Sequence, residues 1–248
     1  MRPLGLHTID VPPDNELLRG LNKEEIGLIL AAARSQRLSA KSVIMYQSQP
    51  ADRLWLLWQG RARYFYETID GKKLVLLWIT PGHVFGAAAF AVHPSTYLVS
   101  TEATQDSTVL VWDARTIRDL GLRFPRLMMN AYLTAMSYLS WYVATHAALA
   151  SESARERLAH IIVGYAPSIG QRVSEGIELD VTNEELADAA NITLYTASRL
   201  ISEWHRIGAI GKRRGKILLR SARGLFLPPA HKPLRVRRPD KFSAHPAN

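Results

Sequence analysis

The apolar and polar positions of the chain change texture three times. Leu17, Leu18, Leu21, Ile26, Ile29 and Leu30 recur at helical spacing, which predicts a helix over Glu16 to Arg34 with Asn22 as a cap before Lys23-Glu24-Glu25. Between Ser42 and Asp113 the texture becomes short runs rich in β-branched and aromatic residues: SVIMY, RLWLLW, ARYFYET, KLVLLWI and STVLVW. They are separated by QSQPAD, QG, IDGKK and TPGH, whose Gly, Pro and Asp suit turns. Many short strands with frequent turns predict a β-sandwich or barrel. Within it, ETIDGKKL predicts a hairpin that reverses through the two-residue turn Asp70-Gly71.

From Leu127 to Ser151 no residue is charged, and the stretch is long enough to span a bilayer. Asn130, Thr134, Ser137, Ser140, Thr145 and His146 interrupt it and no aromatic belt flanks it, so the reading is a helix covered by protein on most sides. Met129, Tyr132, Met136, Leu139, Val143, His146 and Ala150 follow one another in steps of three and four and form one seam, while Trp141 and Tyr142 point elsewhere. Such a helix can rest on its own barrel with one face and on a twin subunit with the other. It can also be buried inside one subunit. The following ARERLAHIIVGYA predicts a helix with Leu158, Ile161, Ile162 and Tyr165 facing inward.

Residues 181–204, VTNEELADAANITLYTASRLISEW, read as two short helices joined by a tight turn. Thr182 to Glu185 is a capping box, Asn191-Ile192 is the turn, and Thr193 caps the second helix. In that helix Ala197, Leu200, Ile201 and Trp204 make a buried stripe, and Tyr195, Arg199, Ser202 and Arg206 make the opposite face. The outer face carries hydrogen-bonding and cationic groups without a carboxylate. A helix of this kind can enter a major groove, where an arginine bonds a guanine edge with both arms. Next, AIGKRRGKILL predicts a hairpin whose tip carries Lys212, Arg213, Arg214 and Lys216, cations suited to phosphates. The order predicts a winged helix-turn-helix, with Asn183, Thr193 and Thr196 added to the DNA-contacting set.

Charge strengthens that reading. From Thr193 onward there are thirteen Lys and Arg against two carboxylates, an excess of eleven in a chain whose total is +9, so everything earlier sums to −2. A basic C-terminal third points to a polyanionic partner. The absence of cysteine excludes disulfides, thiolate metal sites and cysteine nucleophiles. The N-terminal MRPLGLHTIDVPPDNELL lacks the apolar core of a signal peptide, which suggests a cytoplasmic protein. No phosphate-binding glycine loop, paired-histidine zinc helix or nucleophile elbow is visible, and the histidines do not cluster as metal ligands, so the chain does not read as an enzyme.

The order of strand-rich barrel, long helix and winged helix-turn-helix resembles the Crp–Fnr family of bacterial transcription regulators. The likeness rests on PADRLWLLWQGRARYF, DGKKLVLLWITPGHVFG and VTNEELADAANITLYTASRLISEWHRIGAI. It implies an α+β chain: a helix and β jelly-roll barrel of the cyclic-nucleotide-binding type over 1–125, a dimerisation helix over 126–152, and the DNA-binding domain over 153–227. The Pro-rich basic segment 228–248 is read as disordered. The resemblance further implies a homodimer on two-fold symmetric DNA, RNA polymerase as a partner, and an effector pocket between barrel and long helix. That pocket would be lined by Phe85, Gly86, Ala87, Phe90, Tyr97, Leu98, Trp141, Tyr142 and Val143.

Departures from the family pattern restrict the effector. Cyclic-nucleotide-binding members follow the Phe-Gly of this turn with a glutamate and later an Arg-Ser or Arg-Thr pair for the phosphate. Here Phe85-Gly86 leads into Ala87-Ala88-Ala89-Phe90, and Tyr97 and Leu98 stand near the place of the phosphate-binding pair. An anionic phosphate buried there would lack a cation, so cyclic AMP and GMP are not expected to act. Haem has His83, His93 and His146 as ligands by residue type alone, none in a marking motif, so no cofactor is expected. The lining suits an apolar or aromatic effector, or a filled interior with none. Where family members carry a glutamate in the recognition helix this chain has Tyr195, while Thr193, Thr196 and Arg199 are retained. A rival reading, a barrel acting on a protein partner, shares the strands but not the basic C-terminal third.

Overall fold

A computed structural model describes residues 15–93, 95–213 and 215–227. The segment 228–248 and Arg214 lie outside the described residues. Asn22 starts α1 (Lys23–Ala31) with a capping box closed by Glu25. Strands β1 (Arg34–Leu38), β2 (Val43–Met45), β3 (Arg53–Gln59), β4 (Ala62–Glu67), β5 (Lys73–Ile79), β6 (Val84–Phe85), β7 (Ser100–Ala103) and β8 (Ser107–Asp113) follow, with a short 3-10 turn at Ala87–Phe90. They form two antiparallel four-stranded sheets, β1-β8-β3-β6 and β2-β7-β4-β5. Helices α2 (Ala114–Arg123) and α3 (Pro125–Ser151) lead into the C-terminal unit.

The run RLWLLW of β3 does not alternate because both sides of its sheet are covered. Trp55 and Leu57 face the second sheet beside Val109, Val111, Tyr64 and Ile79. Leu54 and Leu56 face the helices, with Ile29, Trp112, Ile117 and Leu127. Trp112 Nε1 donates to the Ile29 carbonyl at 2.9 Å, so the ring's one polar atom is satisfied inside this layer.

Three expectations are corrected. The helix expected over Glu16 to Arg34 is only Lys23–Ala31: Gly20 turns the chain at φ +73°, Leu17 and Leu18 are buried from a non-helical segment, and Arg34 opens β1. The β4–β5 turn has three residues. Thr68 and Lys72 face each other, the Gly71 amide donates to the Thr68 carbonyl at 2.9 Å, and Gly71 sits at φ +79°, the left-handed position that closes a three-residue hairpin. For helix α3 it is the alternative of burial inside one subunit that is corrected. It buries Leu127, Asn130, Ala131 and Thr134, but Met129, Tyr132, Leu139 and Val143 are more than half exposed. Among the described residues no helix is long and apolar enough to cross a membrane.

The polar interruptions of α3 have work of their own. Asn130 Nδ2 donates to the carbonyls of Leu17 and Arg19, both at 2.8 Å, and Thr134 Oγ1 donates to Glu16 at 2.9 Å. These bonds pin the segment before α1 against α3. Asn130→Leu strands two carbonyls beneath that segment and is expected to cost about 1–3 kcal/mol in urea denaturation. Ser137→Ala, on the exposed side of the same helix, should stay within about 0.5 kcal/mol of the parent.

Candidate nucleic-acid interface

The C-terminal unit is built on α4 (Ala154–Ile169), capped by Ser153 and Glu156. β9 (Gly170–Val173) and β10 (Gly176–Leu179) precede α5 (Asn183–Ala189) and α6 (Leu194–Arg206). The wing strands β11 (Ile210–Arg213) and β12 (Lys216–Leu219), then α7 (Ala222–Leu225), complete it. Its sheet runs β11-β12-β10-β9. Leu158, Ile161, Ile162 and Tyr165 of α4 are buried together with Leu186, Ala197, Leu200, Ile201 and Trp204. Trp204 is fully buried, and its Nε1 donates to the Leu225 carbonyl at 3.0 Å.

Both caps form. Thr182 Oγ1 accepts from the Glu185 amide and Thr193 Oγ1 from the Thr196 amide, each at 3.1 Å. Asn191 makes the turn between the helices at φ +49°, a conformation asparagine tolerates better than most side chains. Asn183 Nδ2 reaches Ser198 Oγ at 3.3 Å and ties α5 to α6. On the outer face of α6, Tyr195 is 78% exposed, and Arg199, Ser202 and Arg206 are exposed, with Ser202 Oγ donating to the Ser198 carbonyl at 2.7 Å. Arg199 makes no ion pair or hydrogen bond with another described residue. The helix's one carboxylate, Glu203, is turned inward and accepts from Arg155 Nη1 at 2.9 Å, with the guanidinium 5.3 Å from the Trp204 ring. A cation is thus centred on a face that offers only donors and hydroxyls.

The wing departs from expectation. Lys212 Nζ donates to Ser202 Oγ at 2.8 Å and joins the wing to α6. Lys216 and Arg213 turn to Glu178 of β10, at 2.6 and 2.8 Å. The Lys216 hydrogen bond, reinforced by Arg213, holds the Glu178 carboxyl below the usual range, and the same bond raises the lysine. Both tip cations are thus engaged within the unit, Lys216 by Glu178 and Arg213 by Glu178 and, at 3.7 Å, Glu175.

The nine residues expected to line an effector pocket do not converge. Phe85 and Tyr97 are buried inside the barrel on either side of Trp55, whose ring stacks on Phe85 at 5.5 Å and lies 5.6 Å from Tyr97. Burial pushes the Tyr97 phenol up to about 12. Its hydroxyl accepts from the Arg53 amide and donates to the Arg53 carbonyl, each at 2.9 Å. Gly86, at φ +80°, leaves no room for a Cβ beside the Trp55 ring. Ala87 and Phe90 pack on the helix side of the first sheet instead, and Leu98, Tyr142 and Val143 are more than half exposed. Tyr138, unnoticed in the sequence, also reaches the barrel from α3: its hydroxyl donates to the Val84 carbonyl at 3.0 Å and its ring meets Tyr64 edge-on. Trp141 faces a separate cleft of about 300 Å³ between α3, α4 and the end of α5. His83 bonds Thr80, and His146 stacks on Tyr142 at the exposed seam; no cluster of three metal-ligating side chains occurs among the described residues.

Arg157 is another residue the sequence did not mark. Its guanidinium donates to the carbonyls of Ala190 (2.9 Å), Glu152 (2.7 Å) and Asn191 (3.3 Å). One side chain therefore joins the end of α3 to the turn that launches α6. Only a partner rich in carbonyls could have revealed it, and backbone carbonyls leave no trace in residue types.

Comparison with known proteins agrees with this geometry. Residues 35–123 match the cyclic nucleotide-binding domain and residues 156–226 the Crp-like helix-turn-helix domain. The chain is 25% identical over 186 residues to the transcriptional regulator LdrP of Thermus thermophilus, covering 74% of this chain and 91% of that protein. It is 24% identical over 206 residues to a cyclic AMP receptor protein of the same species, covering 83% and 93%. The solved structure of FixK2 from Bradyrhizobium japonicum shares the fold at a TM-score of 0.68 and 20% identity, over 78% of this chain and 95% of that one.

Arg157→Met keeps the apolar stem and removes the donors. It should lower the unfolding free energy of the C-terminal unit by about 1–3 kcal/mol and speed hydrogen exchange around Asn191 and Thr193. An unchanged exchange rate there would show that the three bonds do not hold the turn.

Proposed function

Since the chain belongs to the Crp–Fnr family of DNA-binding transcription regulators, we propose that it acts as a homodimer that lays the outer face of α6 from each subunit into a major groove. The observation that carries this reading is Arg199: exposed, without an internal partner, and centred on a carboxylate-free face of a rigidly seated helix. Such an arginine can donate both arms to guanine O6 and N7. Tyr195 lies beside it, one turn toward the helix start, and cannot accept from cytosine as a carboxylate does. The neighbouring base preference therefore differs from that of family members with glutamate there. Arg206, Lys212 and the hydroxyls of Thr193 and Thr196 are the phosphate-facing groups, which fix register and add affinity.

The dimer is supported by the seam of α3. Its apolar side chains face solvent in a single chain, and a second copy would cover them isologously. Two α6 helices related by that axis would meet DNA about one turn apart, ~34 Å. RNA polymerase is the proposed partner at promoters and the cytoplasm the proposed compartment. Catalysis is not part of the proposal. Cyclic AMP is not the proposed effector either: the Trp55–Phe85 stack and Tyr97 stand in the barrel interior, and Tyr97 presents a neutral hydroxyl already bonded to backbone. An effector, if one acts, is apolar or aromatic.

Selection of bound duplexes from random DNA tests the reading, and a two-fold symmetric site containing a guanine in each half is expected. Arg199→Ala should weaken that site by about 1–3 kcal/mol and relax the choice at the guanine. Lys212→Ala should reduce the slope of log affinity against log salt by about one. Lys216→Ala should reduce it less, because Glu178 engages that lysine within the wing. Enrichment of no sequence, or a variant at position 199 as selective as the parent, would contradict the assignment.

A further inference from the structure

The barrel reaches the winged helix through its second sheet. Arg63 of β4 donates to Glu102 on its own sheet at 2.8 Å and to Glu185 in the first turn of α5 at 3.1 Å. All three side chains are mostly removed from water, at 22%, 9% and 23% exposure. Lys73 closes the far side of Glu102 at 3.1 Å. Next to this bridge Arg61 donates to the Asp180 carbonyl at 2.9 Å, two residues before the cap of α5. Trp78 of β5 is buried in the winged-helix core rather than the barrel's, edge-on to Tyr165, with the Arg61 guanidinium 4.8 Å from its ring.

Glu185 has two tasks. One oxygen accepts from the Thr182 amide at 2.9 Å and starts α5; the other takes Arg63. At the far end of α5, Arg157 holds the carbonyls of Ala190 and Asn191. The helix is therefore fastened at its beginning to the barrel and at its end to α3. Helix α6 follows α5 as one body through the Asn191 turn and the Asn183–Ser198 bond. A largely desolvated Arg–carboxylate pair is directional and cannot stretch, so rotating the winged helix away from the barrel breaks it outright.

We infer that Arg63, seated against Glu185 with Trp78 beside it, is a positioning residue for DNA recognition: it fixes the angle at which the barrel presents α6 and so sets the half-site spacing that a dimer selects. This rests on the homodimeric, groove-reading function proposed above. Arg63 itself lies on the barrel and reads no base. Its removal leaves neither carboxylate stranded, since Lys73 stays on Glu102 and the Thr182 amide on Glu185, so the fold has reason to survive.

The test compares full-length wild type, Arg63→Met and Arg63→Lys on duplexes carrying two copies of the selected half-site, with the spacer varied one base pair at a time. Wild type should favour one spacing. Arg63→Met should flatten that preference about fivefold or more, while the bases preferred within each half-site stay as they were. Arg63→Lys should fall between, because an ammonium lacks the fork that spans both carboxylates. If Arg63→Met loses its thermal transition, the lysine variant decides alone: intermediate spacing preference supports the inference and wild-type preference refutes it. A folded Arg63→Met with wild-type spacing preference and normal half-site recognition overturns the positioning role. Wild type that selects no half-site overturns the function itself, and this inference with it.

Discussion

A thirteen-residue helix can show DNA a face free of negative charge only if its apolar side and its carboxylate are both held inside, and in α6 they are. Trp204 is the fixed point: fully buried, hydrogen-bonded to Leu225, and covered by the Arg155 that takes Glu203. Burying a Trp, a Leu and an Ile on one stripe stabilises the seat by several kcal/mol, and the direction of Tyr195, Arg199 and Arg206 follows from it. Groove binding depends on that seat.

The rest of the molecule supplies attachments to the seat. The first sheet is covered on both sides, by the helices on one and by the second sheet on the other. Helix α3 divides its surface by chemistry. Its first turns bury Asn130 and Thr134 to pin the N-terminal segment, Tyr138 reaches the barrel, Trp141 faces the cleft beside α4, and an apolar seam stays outside. The fold thus ties the barrel to the start of α5 through Arg63 and Glu185, and the end of α3 to the end of α5 through Arg157.

What could be read from the sequence was what is local in it. The caps at Thr182 and Thr193, the Asn191 turn and the α6 stripe are relations three or four residues apart, and each is present in the structure. The runs in β3 and β5 announced themselves because both are rich in apolar side chains. By contrast β1 and β7, RSQRL and STEA, are strands held by backbone pairing to β8 and β4, and their residues carry little β signal. The proposed pocket failed because its members alternate between two faces of a sheet and two faces of a helix, and only packing tells which is which. Glu178 neutralises Lys216 from thirty-eight residues away and Arg63 meets Glu185 across one hundred and twenty-two; no spacing rule reaches that far.

The chain contains no cysteine, which makes the orientation of α6 directly measurable. A single cysteine in place of Tyr195, carrying a DNA-cleaving iron chelate, should cut the selected duplex at two major-groove positions about one helical turn, ~34 Å, apart. Cuts confined to the minor groove, or scattered evenly along the duplex while binding remains specific, would contradict the account.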